Sequence, residues 1–158
     1  MKPNPLIKKV RERFGKQTLA QKAGEETMVN GTAYITVLVG NQDEAIEFYQ
    51  EKLGLEVRLD VPFGPKERWV TVAPKGSAGP EFSLVQADSP AKQQAVGRQA
   101  GDHVLFVLTT EDVDRDHADL KARGVEVLGD PENLPWGRHF LFRDPYGNVL
   151  DLLQPAPR

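Results

Sequence analysis

An aspartate in the last predicted strand poses the clearest chemical question in this sequence. The segment "VLDLL" at residues 149–153 is typical of a short buried strand, in which four aliphatic side chains surround the carboxyl group of Asp151. A carboxylate removed from water without a partner is strongly destabilising or stays protonated. Asp151 therefore either reaches solvent or has its oxygens bound by another group inside the fold.

Tryptophan, arginine and histidine side chains stand at the start of the preceding strand. In the segment Trp136-Gly137-Arg138-His139, strand alternation places either Arg138 or His139 on the side that faces the interior. A guanidinium there could bind an anionic group through two hydrogen bonds, but we favour a salt bridge at the rim for Arg138. We include Trp136, Arg138 and His139 among the candidate substrate-pocket residues.

Aromatic residues at strand spacing form a further candidate group, because rings can stack against an apolar ligand. The same spacing is more often typical of an ordinary hydrophobic core. Both interpretations stay open for Tyr34, Trp69, Phe82 and Phe140. The side of the sheet on which each ring lies decides between them.

The composition excludes several classes of protein. The chain has no cysteine, which excludes disulfides, thiolate zinc sites and cysteine nucleophiles. Its net charge of −3 does not indicate nucleic acid or an anionic membrane as a partner. No apolar run approaches the ~20 residues of a membrane span, and neither a signal-peptide segment nor a phosphate-binding glycine loop is present. We expect a cytoplasmic protein.

The elements that must position these residues follow the order strand, helix and three strands, and this order occurs twice. The repeat is visible in the residues, since "LGLEV" around Gly54 returns as "RGVEV" around Gly124. We assign module one to residues 32–88, a linker to residues 88–101 and module two to residues 102–154. The predicted fold class is α+β, with two βαβββ modules forming a curved, mostly antiparallel mixed sheet around a concave cavity.

The segment "DPYGN" at residues 144–148 is predicted to reverse the chain between the last two strands. Proline fixes the second position of such a turn, while glycine and asparagine tolerate positive φ. A ligand-binding loop is the alternative, which turn chemistry favours less.

Residues 1–30 differ in composition from the single domain predicted at residues 31–158. Lysine and arginine outnumber glutamate there, and apolar residues recur at helical spacing after Pro5. We interpret them as a basic helical arm whose apolar stripe docks on its own domain or on a partner subunit. A nucleic-acid or membrane arm is the less favoured alternative.

Three segments together resemble the vicinal oxygen chelate superfamily, which includes glyoxalase I, extradiol dioxygenases, and fosfomycin- and bleomycin-resistance proteins. They are "QDEAIEFYQEKLGLEV", "DVDRDHADLKARGVEV" and "PWGRHFLFRDPYGNVLDLLQ", and the resemblance covers about residues 32–155. It implies the duplicated fold, while many different functions share that fold. The N-terminal arm falls outside the resemblance.

The resemblance also implies a set of candidate metal ligands. Metal-dependent members place one ligand on each of the first, fourth, fifth and eighth strands, so that four side chains converge on one ion. Carried over by position, the eighth-strand ligand falls on Asp151 and the first-strand position falls on Tyr34. The fourth strand offers Glu81 or Ser83, and the fifth strand offers His103 or Leu105.

Two functions remain open on this basis. A Glu81, His103 and Asp151 set would suit one divalent ion, Fe, Mn, Ni or Zn, in a metal-dependent lyase, isomerase or dioxygenase. Alternatively, Asp151 and His103 satisfy each other or line a metal-free pocket that sequesters a drug or metabolite. We favour this bleomycin-resistance type of binder, because Tyr34 and Leu105 weaken the ligand set. The resemblance further implies a homodimer.

Overall fold

The computed structural model describes residues 28–158, so nearly all of the predicted arm lies outside the described residues. Within residues 28–158, no helix is long and apolar enough to cross a membrane. Module one consists of β1 (Tyr34–Val39), α1 (Gln42–Ile46) with a π-helical extension (Glu47–Lys52), β2 (Glu56–Phe63), β3 (Glu67–Ala73) and β4 (Glu81–Gln86). After α2 (Pro90–Ala95), module two consists of β5 (Phe106–Thr109), α3 (Val113–Ala122), β6 (Val127–Leu134), β7 (Gly137–Arg143) and β8 (Val149–Pro155).

Each module forms one four-stranded mixed sheet, and the two sheets have the same strand order. That order is β1–β4–β3–β2 in module one and β5–β8–β7–β6 in module two. The first and fourth strands of each module run parallel, while the remaining neighbours run antiparallel. The prediction of an α+β fold built from two βαβββ modules is confirmed.

The two main helices begin and end on equivalent residues. The side chain of Asn41 accepts a hydrogen bond from the Glu44 amide at the start of α1, and Asp112 accepts one from Arg115 at the start of α3. Gly54 and Gly124 follow the helices with φ of 82° and 81°, a conformation that glycine adopts without strain. The repeated "LGLEV" and "RGVEV" segments therefore mark the helix ends and the entry to the next strand.

The segment predicted as a linker contains the short helix α2. Ser89 caps this helix and Pro90 occupies its first turn, a combination that favours helix initiation. Gly97 then passes close to module two, since a Cβ atom at that position would lie 2.0 Å from the carbonyl oxygen of Tyr146. No other residue fits there without moving the backbone.

The helix-side faces of both sheets contribute to one shared hydrophobic core. The rings of Phe82 in β4 and Phe106 in β5 stack with their centroids 4.3 Å apart, which joins the two modules. Phe82 and Phe140 are both buried in this core, so neither lines a pocket. The core also includes Val37, Val39, Tyr49, Val70, Val72, Leu84, Leu108, Val113, Leu120, Phe142, Leu150 and Leu152.

The "DPYGN" turn reverses the chain between β7 and β8 and also fastens the modules together. The buried Asp144 carboxylate accepts hydrogen bonds from the Tyr49 hydroxyl at 2.8 Å and the Asn148 side-chain amide at 2.7 Å. The backbone amides of Tyr146 and Asn148 donate to the same carboxylate. The Tyr146 hydroxyl in turn donates to the Asn41 carbonyl at 2.9 Å. The turn thus binds the N-cap residue of α1 and the π-helical extension of α1 in the other module.

Candidate functional site

Each sheet has a second face, here called the distal face, that points away from the helices and the shared core. Side chains alternate along a strand, so Val70 and Val72 enter the core while Trp69 and Thr71 lie on the distal face. The distal face of module one carries Tyr34, Trp69, Thr71, Glu81 and Ser83. The distal face of module two carries Val107, His139, Leu141 and Asp151.

A gap between β3 and β4 interrupts the sheet of module one. The two strands pair at only three positions, which match residues 70–72 with residues 82–84. Beyond them, Nε2 of Gln42 donates to the carbonyl oxygens of Arg68 and Leu84, both at 2.9 Å. An amide nitrogen has two hydrogens, so the buried Gln42 side chain satisfies both carbonyls across the gap.

A cavity of about 510 Å³ lies at this gap. Small-molecule sites enclose roughly 300–1,000 Å³, with mostly apolar walls and a few polar groups. The cavity has this mixed character. Its walls are Phe63, Trp69, Leu84 and Val85, with hydrogen-bonding groups from Gln42, Ser83 and Gln86, and its charged residues are Lys66, Glu67, Arg68, Asp88 and Lys92.

Several of the charged groups at the cavity are engaged in ion pairs. Arg68 donates to Asp60 and Asp43, with its shortest contact to each at 2.6 Å. These hydrogen bonds raise the pKa of Arg68, and the bond from Arg68 lowers the pKa of Asp60. Lys92 pairs with Asp88 at 2.6 Å and lowers its pKa in the same way. The cavity therefore has a nearly balanced charge, which suits a ligand without a large net charge.

Glu81, the predicted fourth-strand ligand, belongs to a buried hydrogen-bond network. It is 3% exposed, and Oε1 accepts a hydrogen bond from the Thr71 hydroxyl at 2.6 Å. The Arg58 guanidinium lies 3.8 Å from Oε2 and donates to the carbonyls of Pro74 and Ser77. A carboxylate held by these partners stabilises the sheet of module one.

On the distal face of module two, Asp151 contacts His139. The distance from Oδ1 of Asp151 to Nδ1 of His139 is 2.9 Å, and the side chains are 15% and 17% exposed. Asp151 is therefore neither fully buried nor without a partner. Of the pair Arg138 and His139, it is His139 that lies on this face.

The other predicted pocket residues are separated from this pair. Arg138 binds Asp114 of α3 at 3.0 Å, so it forms the predicted salt bridge. Trp136 is 61% exposed at the β6–β7 turn, and Leu105 packs against the core. His103 is exposed in the turn before β5, beside a cavity of about 260 Å³ that Asp102, Arg143 and Asn148 also line.

The structure does not bring Glu81, His103 and Asp151 together. Among residues 28–158, no group of three His, Asp or Glu side chains is arranged to hold a metal ion. Glu81 and Asp151 lie on different sheets, and the β5 residue opposite Asp151 is Val107, which cannot ligate a metal. One oxygen of Asp151 already binds His139. The donor set of one chain therefore does not fit the predicted ion.

Sequence reasoning missed Gln42 and the pairing of His139 with Asp151. Gln42 directly follows the N-cap Asn41, and nothing in the helical pattern indicates that its amide is buried between strands. Strand parity was the available signal for the pair. His139 and Asp151 both occupy distal-face positions of neighbouring strands, two positions out of register.

Known proteins are similar to this chain over most of its length. The model of the Glyoxalase/Bleomycin resistance protein/Dioxygenase superfamily matches residues 31–152. A solved structure, TnmS3, an antibiotic binding protein from Streptomyces sp. CB03234, is 38% identical to this chain with a TM-score of 0.70. The match covers 83% of this chain and 100% of TnmS3.

Two curated relatives extend the comparison. An uncharacterized protein of Shewanella frigidimarina is 35% identical, over 80% of this chain and 95% of the relative. The metallothiol transferase FosB of Shouchella clausii is 28% identical, over 79% of this chain and 80% of that protein. The vicinal oxygen chelate resemblance is thereby confirmed. With its duplicated βαβββ fold and these matches, the chain belongs to the Glyoxalase/Bleomycin resistance protein/Dioxygenase superfamily.

Proposed function

We propose that this chain is a cytoplasmic small-molecule-binding protein of the glyoxalase/bleomycin-resistance type that takes its ligand into the module-one cavity. The observation that carries the proposal is the cavity of about 510 Å³ where β3 and β4 separate. The similarity to an antibiotic-binding protein at 38% identity supports a drug-like ligand.

The walls of the cavity favour a ligand with a flat ring system. The half-buried Trp69 ring meets the Tyr34 ring edge-on, with 5.2 Å between centroids, and this contact limits its rotation. A fixed aromatic wall binds a planar ligand at low entropic cost. Ser83 and Gln86 add polar side chains to the same cavity, and Nε2 of Gln86 donates to the Gly40 carbonyl.

Tryptophan fluorescence provides a direct test. The chain has two tryptophans, and Trp136 is largely exposed, so a Trp136→Phe variant reports on Trp69 alone. Titration with bleomycin, which carries a planar bithiazole, or with 8-anilinonaphthalene-1-sulfonate should change that signal saturably. Ser83→Leu should weaken binding by filling the cavity, while Trp136→Phe should bind like the unaltered protein. Absence of saturable binding by both probes would contradict the proposal.

The alternative is a metal-dependent lyase, isomerase or dioxygenase. Metal analysis of protein purified without chelator distinguishes it from the binder. We expect substoichiometric metal that is unchanged in Asp151→Ala. One Fe, Mn, Ni or Zn ion per chain, lost on that substitution, would favour the enzyme instead.

We also propose a homodimer. The two distal faces point away from the shared core, so a closed chamber between them needs a second copy of the chain. Light scattering of the full chain should give the mass of a dimer. The same measurement on a variant lacking residues 1–27 tests whether the arm holds the dimer together. A monomer mass for the full chain at high concentration would contradict the dimer, and an unchanged mass after deletion would exclude a role for the arm.

A further inference from the structure

We propose that His139 and Asp151 form a proton-accepting dyad on the distal face of module two, acting on an apolar compound with an acidic C–H or O–H group. The dyad lies on β7 and β8, whereas the proposed binding cavity lies on β3 and β4. The inference adds an activity to ligand binding and does not depend on the module-one cavity.

The hydrogen bond between the two side chains fixes the state of the imidazole. A carboxylate can only accept, so Nδ1 of His139 carries the hydrogen in the 2.9 Å contact with Asp151. In the neutral ring, Nε2 then has the lone pair. Within residues 28–158, no protein group is hydrogen-bonded to Nε2. The atom that can accept a proton is therefore the one left for a ligand.

The neighbours of the dyad are mainly apolar. Asp151 lies opposite Leu141 on one side and opposite Val107 on the other, and Val107 is 52% exposed. The strand neighbours of His139 are Leu153 in β8 and the exposed Glu132 in β6. An apolar ligand on this face would exclude water from the dyad, and Asp151 would stabilise the imidazolium formed by proton transfer.

The expected step is a simple proton transfer from carbon or oxygen to Nε2. With 5-nitrobenzisoxazole as a probe, the proton on the carbon beside nitrogen moves to Nε2 of His139. The C–H electron pair forms the nitrile as the N–O bond breaks, and the oxygen leaves as a coloured phenolate. The imidazolium then returns its proton to water, so no oxidant, reductant or metal is required.

Ring opening of 5-nitrobenzisoxazole, followed by absorbance, tests the dyad in the full chain. The second-order rate constant should exceed that of free imidazole at the same pH by about tenfold, and His139→Gln should lose about tenfold or more. His117→Gln is the matched control, since His117 binds the Gly129 carbonyl outside the dyad. A wild-type rate equal to free imidazole, or an undiminished rate in folded His139→Gln, would overturn the proposal.

Asp151 is a positioning residue in this scheme, and nitrogen-15 NMR of the imidazole tests its role separately. The unaltered protein should show His139 with hydrogen on Nδ1, while Asp151→Leu should give mixed tautomers and a rate reduced about tenfold. Hydrogen on Nε2 in the unaltered protein would overturn the proposal without any variant. Asp151→Leu that keeps both the tautomer and the rate would also do so.

Discussion

The central strands of the two modules pair to different extents, although the modules share one strand order. β3 and β4 pair at three positions, whereas β7 and β8 pair at seven. Each helix has a buried residue directly after its N-cap, and this residue is Gln42 in module one and Val113 in module two. Gln42 occupies backbone carbonyls of both strands, while Val113 packs in the core. The module with the buried amide side chain is therefore the one in which the two strands separate and a cavity forms.

The distal faces differ at equivalent positions of the two sheets. Ser83 lies between β1 and β3 in the same register in which Asp151 lies between β5 and β7. Ser83 pairs with Thr71 of β3, and Asp151 pairs with Leu141 of β7. Trp69 and His139 lie two residues before these partners. Module one thus presents a ring and a hydroxyl beside a cavity, and module two presents an imidazole and a carboxylate. Duplication of a fold leaves each copy free to acquire its own chemistry.

The largest loss of stability is expected at the contact between the modules, where the Asp144 carboxylate binds the Tyr49 hydroxyl. Asp144→Ala removes the acceptor for the buried Tyr49 hydroxyl and for three further donors. We expect the free energy of unfolding to fall by about 4 kcal/mol, because several buried donors lose their partner together. Urea unfolding followed by circular dichroism measures this change.

The equivalent turn of module one supplies the matched control. Lys75 lies exposed in the segment between β3 and β4, and no hydrogen bond or ion pair of its side chain occurs among residues 28–158. Lys75→Ala should change the free energy of unfolding by less than about 0.5 kcal/mol. Similar losses for Asp144→Ala and Lys75→Ala would show that the two turns do not differ as described.

The fold was largely predictable from sequence because the helix caps and strand alternation are local signals. Gly54 and Gly124 mark equivalent helix ends, and both helices were placed correctly from them. The contacts that define the candidate sites join residues far apart in the chain, as Gln42 does with Leu84. The turn at Asp144 was predicted from its local chemistry, but its bond to Tyr49 spans 95 residues. Such contacts leave no periodic signal.

The Gln42 side chain bridges the gap between β3 and β4. Gln42→Ala leaves the carbonyls of Arg68 and Leu84 without a donor and should lower the free energy of unfolding by about 2 kcal/mol. If β3 and β4 then pair further, the cavity closes and 8-anilinonaphthalene-1-sulfonate binding falls. Gln50→Ala, an exposed glutamine on the same helical segment, is the control and should do neither. Unchanged stability of Gln42→Ala would exclude the bridging role.

Alkaline pH should weaken the contact between the modules at Tyr49 and Asp144, and the loss should appear in the free energy of unfolding. Burial, followed by the charge of Asp144, raises the pKa of Tyr49 well above its ordinary value of about 10. The unfolded chain loses this proton above about pH 10 while the native chain keeps it, so stability falls as pH rises. The slope should reach about 1.4 kcal/mol per pH unit for this group.

Tyr49→Phe should flatten that slope, which urea unfolding between about pH 9 and pH 11 can measure. Part of the slope should remain, because burial also raises the pKa of Tyr146 in the same turn. The variant loses the hydrogen bond to Asp144 at all pH values, so it is less stable at about pH 8 as well. An unaltered slope in Tyr49→Phe would remove Tyr49 from the alkaline transition.

The smallest expected difference lies between two equivalent arginines at the second positions of β3 and β7. Arg68 binds Asp60 and Asp43, whereas Arg138 binds Asp114 as its only carboxylate among residues 28–158. Pairs this exposed contribute little, so Arg138→Ala should lower the free energy of unfolding by about 0.3 kcal/mol and Arg68→Ala by about 1 kcal/mol. Both losses should shrink in about 0.5 M NaCl, because salt screens exposed charges. Arg68 also borders the cavity, so Arg68→Ala should alter ligand affinity and Arg138→Ala should not. Equal ligand affinities of the two variants would show that the ion pairs of Arg68 do not influence binding in the cavity.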